Sequence, residues 1–436
     1  MIWSKEETLS KNSLKALQYA RLKEILERVY YLVPFYRKKF DECGITPDTI
    51  KSLDDLQKLP FTKKQDLRDN YPYGMFAVPM GEIVRIHSSS GTTGKPTVVG
   101  YTQEDMNIWA EVMARAFRMG GVTSSDIMQN SHGYGLFTGG LGFHAAAEKM
   151  KVAVIPSSTG FTSRQLLLLK DFGATVLTAT PSFALHLAEA AKNEGYDIKK
   201  DFRVRAGFFG AEPTSIGMKD EIAKVWGIEY HEIYGMSEII GPGVACNCNH
   251  SRLLHFQEDH FYPEIINPKT FEVLPEGERG ELVVTTLTKQ ALPLVRYRTG
   301  DITSITRVPC KCGRTTARIE SIAGRSDDML LIGGVNVFPS QIEHVLSTID
   351  GIALHYQIIA KKKGHLDKLE INVEVDESVM ADDVAKLENL KALISKALLN
   401  NLYINVEVKL VAPKSIERSE GKAVRVIDER KNSGKI

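Results

Sequence analysis

The stretch "TVLTATPSFALHLAEAAKNEG", from Thr175 to Gly195, carries the pattern that decides the fold. Its first six residues are apolar or β-branched, as in a buried strand, and the segment from Ala184 onward has the pattern of one helix. Two parallel strands need a crossover segment between them, because a tight turn cannot join them. A strand that is followed by a single helix therefore indicates a largely parallel sheet.

The same alternation of strand and helix occurs on both sides of this stretch. "VAVIP" precedes "SRQLLLLKDFG" upstream, "RAGFFGAEP" precedes "GMKDEIAKVWG" downstream, and "IEYHEIYGMSE" closes the series. Ligands of such sheets bind beyond the carboxyl ends of the strands. The segments "GAE" and "YGMSE" lie at two of those ends, which makes them candidate binding residues.

Less regular segments surround this series. Apolar residues from Leu14 onward predict a helix that ends near Pro34. Thr102 and Asp105 have the spacing of a capping box, which predicts the start of another helix. Short strands with Gly and Pro turns fill most of 252–322, and the last part of the chain has the strand candidates "LEINVEVDE" and "INVEVKLVAP" around a helix.

These patterns predict an α/β fold with two domains. Residues 1–325 are expected to form a large N-terminal domain with parallel sheets flanked by helices, including a β-rich part over about 246–320. Residues 326–436 are expected to form a small α+β C-terminal domain.

Composition excludes several classes of protein. The 436 residues include 55 Lys and Arg against 54 Asp and Glu, so a net charge of +1 indicates neither a nucleic-acid binder nor a membrane-surface binder. Charges interrupt the N-terminal segment too early for a secretion signal, and no apolar run has the length of a membrane span. Five cysteines do not make a disulfide scaffold in a chain this long, which favours a cytoplasmic location.

The segment "IHSSSGTTGKPTVVGYT", from Ile86 to Thr102, predicts an anion site. Backbone N–H groups of a Gly-rich turn can converge on an anion, and hydroxyl groups and one lysine add donors and charge. The spacing differs from that of a Walker A loop, and a plain polar hairpin is the alternative interpretation. The candidate phosphate-binding residues are Ser88, Ser89, Ser90, Gly91, Thr92, Thr93, Gly94 and Lys95.

Five motifs in this order resemble the adenylate-forming superfamily of acyl-CoA synthetases, adenylation domains and luciferases. They are "SSSGTTGKP", "YGMSE", "YRTGD", "GRSDD" and "SEGKAVRV", and together they span nearly the whole chain. Finer details, among them "ALPLVRYRTGD" and "GGVNVFPSQIE", are similar to the phenylacetate–CoA ligase subfamily. The resemblance implies binding of ATP, Mg²⁺ and coenzyme A and activation of a carboxylic acid as an acyl-adenylate.

The resemblance assigns a role to each motif. Tyr234 would stack on adenine, Ser237 would contact phosphate, Glu238 would hold Mg²⁺, and Asp301 would accept hydrogen bonds from ribose. Lys422 would stabilise the charge that grows on the α-phosphate, and the remaining implied contacts are Gly210, Ala211, Glu212, Gly235, Met236 and Arg325. A core aromatic, a turn residue and a surface salt bridge are the alternatives for Tyr234, Asp301 and Arg325.

The resemblance also implies that the C-terminal domain is mobile. It would rotate about Asp327, the hinge residue, between two half-reactions. The second half-reaction transfers the acyl group to coenzyme A, although a carrier-protein thiol is an alternative acceptor. A non-catalytic nucleotide sensor is an alternative from another class. The sequence leaves a homodimer open.

Glycines and aromatic residues in "SHGYGLFTGGLGFH" predict an apolar pocket for a flat aryl acid. The family places such a pocket here, lined by Tyr134, Phe137 and Phe143, with Phe209 on the other wall. Packing at the start of a helix is the alternative interpretation for any one of these aromatics.

Two Cys-x-Cys pairs predict a structural zinc site. Spacing alone selects Cys246, Cys248, Cys310 and Cys312. The subfamily resemblance instead favours Cys248, His255, Cys310 and Cys312, which leaves Cys246 as a small apolar residue. Free buried thiols are the alternative.

Overall fold

The computed structural model describes residues 1–89, 96–325, 330–332, 335–363, 366–376, 379, 384–418 and 424–432. The chain divides into two compact units. The first comprises Met1–Ala179, Lys199–Ala211 and Ile228–Ser321, and the second comprises Thr180–Ile198, Glu212–Gly227 and Ile322–Ile436.

The helices are α1 (Lys11–Leu32), α2 (Pro34–Glu42), α3 (Lys64–Asp69), α4 (Gln103–Met119), α5 (Gly139–Lys149), α6 (Thr162–Asp171), α7 (Pro181–Asn193), α8 (Ile198–Asp201), α9 (Ile216–Trp226), α10 (Pro339–Leu346) and α11 (Val384–Leu402). The strands are β1 (Arg85–Ser88), β2 (Val98–Tyr101), β3 (Ile127–Asn130), β4 (Ala153–Ile155), β5 (Val176–Ala179), β6 (Ala206–Gly210), β7 (Glu229–Met236), β8 (Gly241–Cys248), β9 (Ser251–Phe256), β10 (Phe261–Ile266), β11 (Gly280–Thr286), β12 (Tyr297–Thr303), β13 (Ile305–Thr306), β14 (Arg318–Ile319), β15 (Gly324–Arg325), β16 (Leu330–Ile332), β17 (Val335–Val337), β18 (Ile352–Lys363), β19 (Leu366–Val375), β20 (Val406–Val411) and β21 (Val426–Asp428). Within the described ranges, no helix combines the length and the apolar character that a membrane crossing requires.

Local sequence signals set the helix ends as expected. The Thr102 hydroxyl accepts the Asp105 N–H at 3.1 Å and the Asp105 carboxylate accepts the Thr102 N–H at 3.0 Å, so the capping box that opens α4 is confirmed. Ser10 caps α1, which ends at Leu32; the extended Val33 then precedes Pro34, the first residue of α2.

A nine-stranded sheet forms the centre of the first unit, in the order β13-β14-β9-β8-β7-β6-β5-β3-β4. The neighbouring strands β4, β3, β5, β6 and β7 run parallel, which confirms the predicted strand–helix series. The strands β8, β9, β14 and β13 extend the same sheet in antiparallel fashion. Only four residues join β7 to β8, too few for a crossover, so the chain returns as a neighbouring antiparallel strand.

Two smaller sheets complete the first unit. In one, β11 pairs antiparallel with β10 and β12, which places Tyr297–Thr303 against a buried strand. In the other, β1 and β2 form a two-stranded ribbon in which Ser88 pairs with Val98. The Gly-rich segment joins the two strands of this ribbon.

The second unit contains a four-stranded sheet in the order β20-β19-β18-β21. Its core includes Ile358, Ile371 and Ile394, and α7 and α9 belong to the same unit. The predicted strands and helix near the end of the chain are confirmed as β19, α11 and β20, whereas β18 was not anticipated. The domain division at residue 325 stays a prediction.

Candidate active site and metal centre

The ribbon β1–β2 presents the predicted phosphate loop. Residues 90–95 lie outside the described ranges, but the base of the loop is visible at Ser88 and Ser89. The Ser89 N–H donates to the Thr97 carbonyl at 3.0 Å, and the Thr97 N–H donates to the Ser89 hydroxyl at 3.2 Å. The Ser88 hydroxyl is buried without a hydrogen-bond partner in the described part of the chain. An unpaired buried hydroxyl at this position is compatible with the predicted anion site.

Tyr234 and Asp301, the predicted adenine and ribose contacts, lie together. The Tyr234 phenol donates to Oδ2 of Asp301 at 2.6 Å, and both side chains are buried. Tyr234 lies near the end of β7 and Asp301 lies on β12. The structure thus brings two motifs that are distant in sequence to one place.

Close backbone packing explains the glycines of these motifs. A Cβ atom on Gly210 would lie 2.4 Å from the Ile233 carbonyl oxygen, and one on Gly235 would lie 2.0 Å from the Gly241 carbonyl oxygen. Ala211 has a φ of +75°, which L residues rarely adopt. The end of β6 therefore has a backbone that tolerates few side chains.

Glu212 has a defined position within the second unit. Its Oε1 atom accepts the N–H of Ser182 at 2.6 Å, at the first turn of α7. A carboxylate is favourable there, because the first N–H groups of a helix have no partner inside the helix. Its predicted contact with the nucleotide stays a prediction.

Ser237 and Glu238 follow β7. The Ser237 hydroxyl lies 3.1 Å from the Thr138 hydroxyl, and the Glu238 side chain is 4% exposed. The Lys64 ammonium lies 3.5 Å from Oε1 of Glu238. The sequence analysis missed Lys64, because a lysine in "FTKKQDL" has no pattern that separates it from other surface lysines.

A buried lysine lies next to this segment. The Lys289 ammonium is 3.3 Å from the centre of the Tyr101 ring, and the Tyr101 hydroxyl donates to the Ile240 carbonyl at 3.0 Å. Burial lowers the pKa of Lys289 to about 8, because a low-dielectric surrounding disfavours the charged form. No pattern in the sequence marks this residue either.

The predicted aryl-pocket residues have different surroundings. Tyr134 accepts a hydrogen bond from Asn130 at 2.7 Å, and Phe143 stacks on His132 with ring centres 4.5 Å apart. Burial lowers the pKa of His132 to about 4, so its ring is neutral at pH 7. Phe209 stacks on Tyr230.

Exposure separates the four aromatics. Phe143 and Phe209 are buried, whereas Phe137 is 54% exposed. A pocket that all four line stays a prediction. Of the remaining predicted residues, Met236 ends β7 and Arg325 ends β15, while Asp327 and Lys422 lie outside the described ranges.

Four predicted metal ligands lie together. The ligand atoms of Cys248, His255, Cys310 and Cys312 are all within 4.8 Å of one another. The Cys248 and Cys310 sulfurs are 3.8 Å apart, and the Cys312 sulfur is 3.3 Å from Nε2 of His255. The other ring nitrogen of His255 lies 3.1 Å from the Thr316 hydroxyl, a partner that fixes the orientation of the ring.

A bulge explains why Cys246 is outside this group. Residues two apart in a regular strand share a face, so Cys246 and Cys248 would be expected together. The register between β8 and β9 shifts between Asn247 and Cys248. Cys246 is instead fully buried, with its sulfur 3.8 Å from the Ala116 carbonyl oxygen.

The electrostatics of the group suit a metal ion. Burial raises the pKa of the Cys312 thiol, but the contacts with His255 and Arg314 together outweigh it, and the pKa falls to about 5. Burial raises the pKa of Cys248 to about 12 when no ion is bound. Three thiols and one imidazole are a donor set that zinc takes in closed, structural sites.

Comparisons with known proteins identify the family of this chain. The family model for AMP-binding enzymes matches residues 39–288, and the model for the AMP-binding enzyme C-terminal domain matches residues 334–430. The chain is 46% identical to the phenylacetate–coenzyme A ligase of Thermus thermophilus over 98% of both chains. It is 48% identical to that of Pseudomonas putida over 97% of this chain and 96% of the relative.

A solved structure has the same fold. The 2-hydroxyisobutyryl-CoA ligase in the postadenylation state with R3-HIB-AMP superposes with a TM-score of 0.92 at 31% identity, covering 98% of this chain and 92% of the other. The chain therefore belongs to the AMP-binding enzyme family, and within that family it is 46–48% identical to the two phenylacetate–coenzyme A ligases named above.

Proposed function

We propose that this protein ligates phenylacetate, or a related aryl-acetic acid, to coenzyme A. ATP activates the acid as an acyl-adenylate, and AMP and pyrophosphate are released. The observation that carries the proposal is the similarity to the Thermus ligase, 46% identity over 98% of both chains. The bonded pair Tyr234 and Asp301 supports it, since it joins the adenine and ribose motifs in one buried place.

In the first half-reaction, a carboxylate oxygen attacks the α-phosphorus of ATP and pyrophosphate leaves. Mg²⁺ would supply positive charge to the phosphate oxygens, and Glu238 is the residue that would hold it. Ser88 and Ser89, at the base of the loop, would orient the phosphates. Lys422 would stabilise the charge that develops on the α-phosphate.

In the second half-reaction, the thiol of coenzyme A loses its proton and its sulfur attacks the acyl carbonyl, and AMP leaves. No side-chain nucleophile is needed, because the adenylate already is an activated acyl donor. Residues 326–436 would rotate about Asp327 between the two steps. Since Lys422 acts on the phosphate, the second step does not require it.

The acid would bind near Tyr134 and Phe143. A neutral imidazole that stacks on Phe143 provides an uncharged wall at His132. An apolar ring suits such a wall better than a charged or strongly polar group does. Phe209 would line the opposite side.

Zinc would be bound by Cys248, His255, Cys310 and Cys312 as a structural ion. Its four protein ligands leave no open position for chemistry, so its effect is on folding. It would fasten the loop that carries Cys310 to the strands β8 and β9. A cytoplasmic location and a homodimer belong to the same proposal, and cell fractionation and light scattering test them.

One experiment tests the function. Pyrophosphate release is measured with ATP and a panel of carboxylic acids, with and without coenzyme A. We expect phenylacetate to be preferred and turnover to require coenzyme A. A preference for hexanoate would contradict the aryl pocket, turnover with a carrier protein alone would change the acceptor, and ATP binding without pyrophosphate release would indicate a sensor.

A further inference from the structure

A short buried turn carries the carboxylate that would hold Mg²⁺. Glu238 follows β7, and the N–H groups of Ile239 and Ile240 both donate to the Met236 carbonyl, at 3.1 and 3.3 Å. All three residues after Ser237 are buried. The position of the carboxylate therefore depends on what holds this turn.

The Glu238 carboxylate has the properties of a cation ligand. Its Oε1 atom is buried and has no hydrogen-bond partner within the described residues. The Lys64 ammonium lies 3.5 Å from this atom, as an ion-pair contact. A buried carboxylate oxygen without hydrogen bonds is costly unless a cation compensates for its burial, so this residue fits the Mg²⁺ of the proposed function.

Tyr101 on β2 spans this turn. Its hydroxyl donates to the Ile240 carbonyl at 3.0 Å and lies 3.5 Å from the Ser237 carbonyl oxygen. Ser237 directly precedes Glu238, and Ile240 follows it by two residues. The hydroxyl of one fully buried side chain thus contacts the backbone on both sides of the carboxylate.

Three neighbours fix the ring that carries this hydroxyl. Trp109 on α4 stacks on the Tyr101 ring with ring centres 5.1 Å apart, and His87 on β1 meets it at right angles at 5.6 Å. The Lys289 ammonium lies 3.3 Å from the centre of the same ring. Trp109 also donates to the Pro242 carbonyl at 3.0 Å, just beyond the turn. Because these neighbours pack around the ring, its hydroxyl can reach few other positions.

The backbone next to Lys289 is bound to the start of α4. The Asp105 carboxylate accepts the N–H groups of Gln290 at 2.6 Å and Ala291 at 2.9 Å. The Lys289 ammonium has no hydrogen-bond partner within the described ranges, so its cation–π contact with Tyr101 compensates for part of its burial. Helix α4 thus supports both the aromatic stack and the buried cation.

We propose that Tyr101 is a positioning residue that holds Glu238 in place for Mg²⁺ binding in the adenylation step. A carboxylate binds an ion well only when the groups behind it fix its orientation. Tyr101 supplies that support through one backbone carbonyl on each side of Glu238. The proposal rests on the proposed function, because that function assigns Mg²⁺ to Glu238. The residues involved all belong to the first unit.

The first test is Tyr101→Phe, which keeps the ring and removes the hydroxyl. We expect the free Mg²⁺ needed for half-maximal pyrophosphate release to rise about fivefold, the effect of one lost hydrogen bond, with kcat at saturating Mg²⁺ within about twofold of wild type. Tyr19→Phe is the control, since its hydroxyl also donates to a backbone carbonyl, that of Ile50. Thermal midpoints identify a variant that fails to fold, and equal Mg²⁺ requirements in the two variants would overturn the proposal.

A double variant tests whether Tyr101 acts through Glu238. Glu238→Gln alone is expected to raise the Mg²⁺ requirement about tenfold. If Tyr101 acts through this carboxylate, adding Tyr101→Phe should leave the requirement near tenfold, whereas independent effects would multiply to about 50-fold. The multiplied value would overturn the proposal.

A readout without turnover separates this proposal from the proposed function. Calorimetry measures the affinity for ATP at increasing Mg²⁺ concentrations, with no acid present. We expect Tyr101→Phe to need about fivefold more Mg²⁺ than wild type or Tyr19→Phe to reach the same affinity. If wild type releases no pyrophosphate with any acid, the proposed function fails, while these titrations still test the role of Tyr101. Identical titrations for all three proteins would overturn that role.

Discussion

The hydroxyl of Tyr234 is bonded to the carboxylate of Asp301 across 2.6 Å, although 67 residues separate them in sequence. Each of these side chains belongs to a different motif, and each was expected to contact a different part of the nucleotide. Because the bond forms within the protein, the ring and the carboxylate restrain one another before ATP arrives. Binding then requires less ordering of either group.

Tyr234→Phe should weaken nucleotide binding while it preserves stacking. Loss of one hydrogen bond to a carboxylate is worth about 1 to 2 kcal/mol, so we expect the KM for ATP to rise about tenfold with little change in kcat. Steady-state kinetics over a range of ATP concentrations measure both. Tyr19→Phe, which removes a hydroxyl bonded to the Ile50 carbonyl, is the control and should leave the KM unchanged.

Lys422→Ala should separate the two half-reactions. We expect adenylation to fall by at least about 100-fold, the size of the loss when one group that stabilises transition-state charge is removed. Thioester formation from supplied phenylacetyl-adenylate and coenzyme A should stay near the wild-type rate. Equal losses in both assays would show that Lys422 supports the fold and not the first step.

Glu238→Gln and Lys64→Met should shift the Mg²⁺ requirement in opposite directions. A neutral amide binds a hard cation more weakly than a carboxylate does, so the glutamine variant should need about tenfold more Mg²⁺. The Lys64 ammonium lies 3.5 Å from Glu238, where it competes with an ion, so the methionine variant should need less. Titrating Mg²⁺ against pyrophosphate release gives both values, and shifts of the same sign would contradict the assignment.

Cys248→Ala and Cys246→Ala form a matched pair on β8. We expect the first to lose stoichiometric zinc and the second to retain it, because only Cys248 lies with His255, Cys310 and Cys312. Metal analysis after exhaustive dialysis distinguishes them. Thr316→Val should keep the ligands but weaken zinc binding about 10- to 100-fold, since it removes the partner of His255.

Lys289→Met should change how stability depends on pH. The pKa of Lys289 is about 8 in the folded protein and 10.5 in its ordinary state, so between these values the unfolded chain binds more protons. Stability from this group therefore rises as pH increases from 8 to 10.5, by about 3 kcal/mol in total. Below pH 8 the buried Lys289 is charged, and its burial destabilises the folded wild type by the full amount. The methionine variant has no such charge to bury.

Urea unfolding at pH 7.5 and pH 10 checks this expectation. The stability of Lys289→Met relative to wild type should be greater at the lower pH and should shrink at the higher one. Lys391→Met, on an exposed part of α11, controls for loss of a surface charge. A pH-independent difference between Lys289→Met and wild type would contradict the shifted pKa.

Periodic and local signals made much of the fold predictable. The alternation around Thr175–Gly195 predicted the parallel strands, and the pair Thr102 and Asp105 predicted the start of α4, because both depend on neighbouring residues. The sequence pattern did not predict that the sheet continues into β8 and β9. The alternation of elements does not show which sheet a returning strand joins.

The site residues that sequence analysis missed are single side chains whose partners lie far along the chain. Lys64 contacts Glu238, and Lys289 contacts Tyr101, but neither lies in a motif. The choice between Cys246 and His255 as the fourth ligand depended on a bulge, which spacing cannot reveal. Tertiary packing creates such relationships, so pattern alone does not contain them.

The backbone of β6 and of Ala211 after it would restrict how the proposed aryl pocket could be reshaped. A Cβ atom on Gly207 would lie 2.3 Å from the Phe209 ring, and one on Gly210 would lie 2.4 Å from the Ile233 carbonyl oxygen. Ala211 has a left-handed backbone conformation, with a φ of +75°. Enlarging the proposed pocket from this side would require the strand itself to move. Directed evolution toward other acids should therefore accumulate its changes near Gly135, where a Cβ atom has open space in the described structure, and at the exposed Phe137.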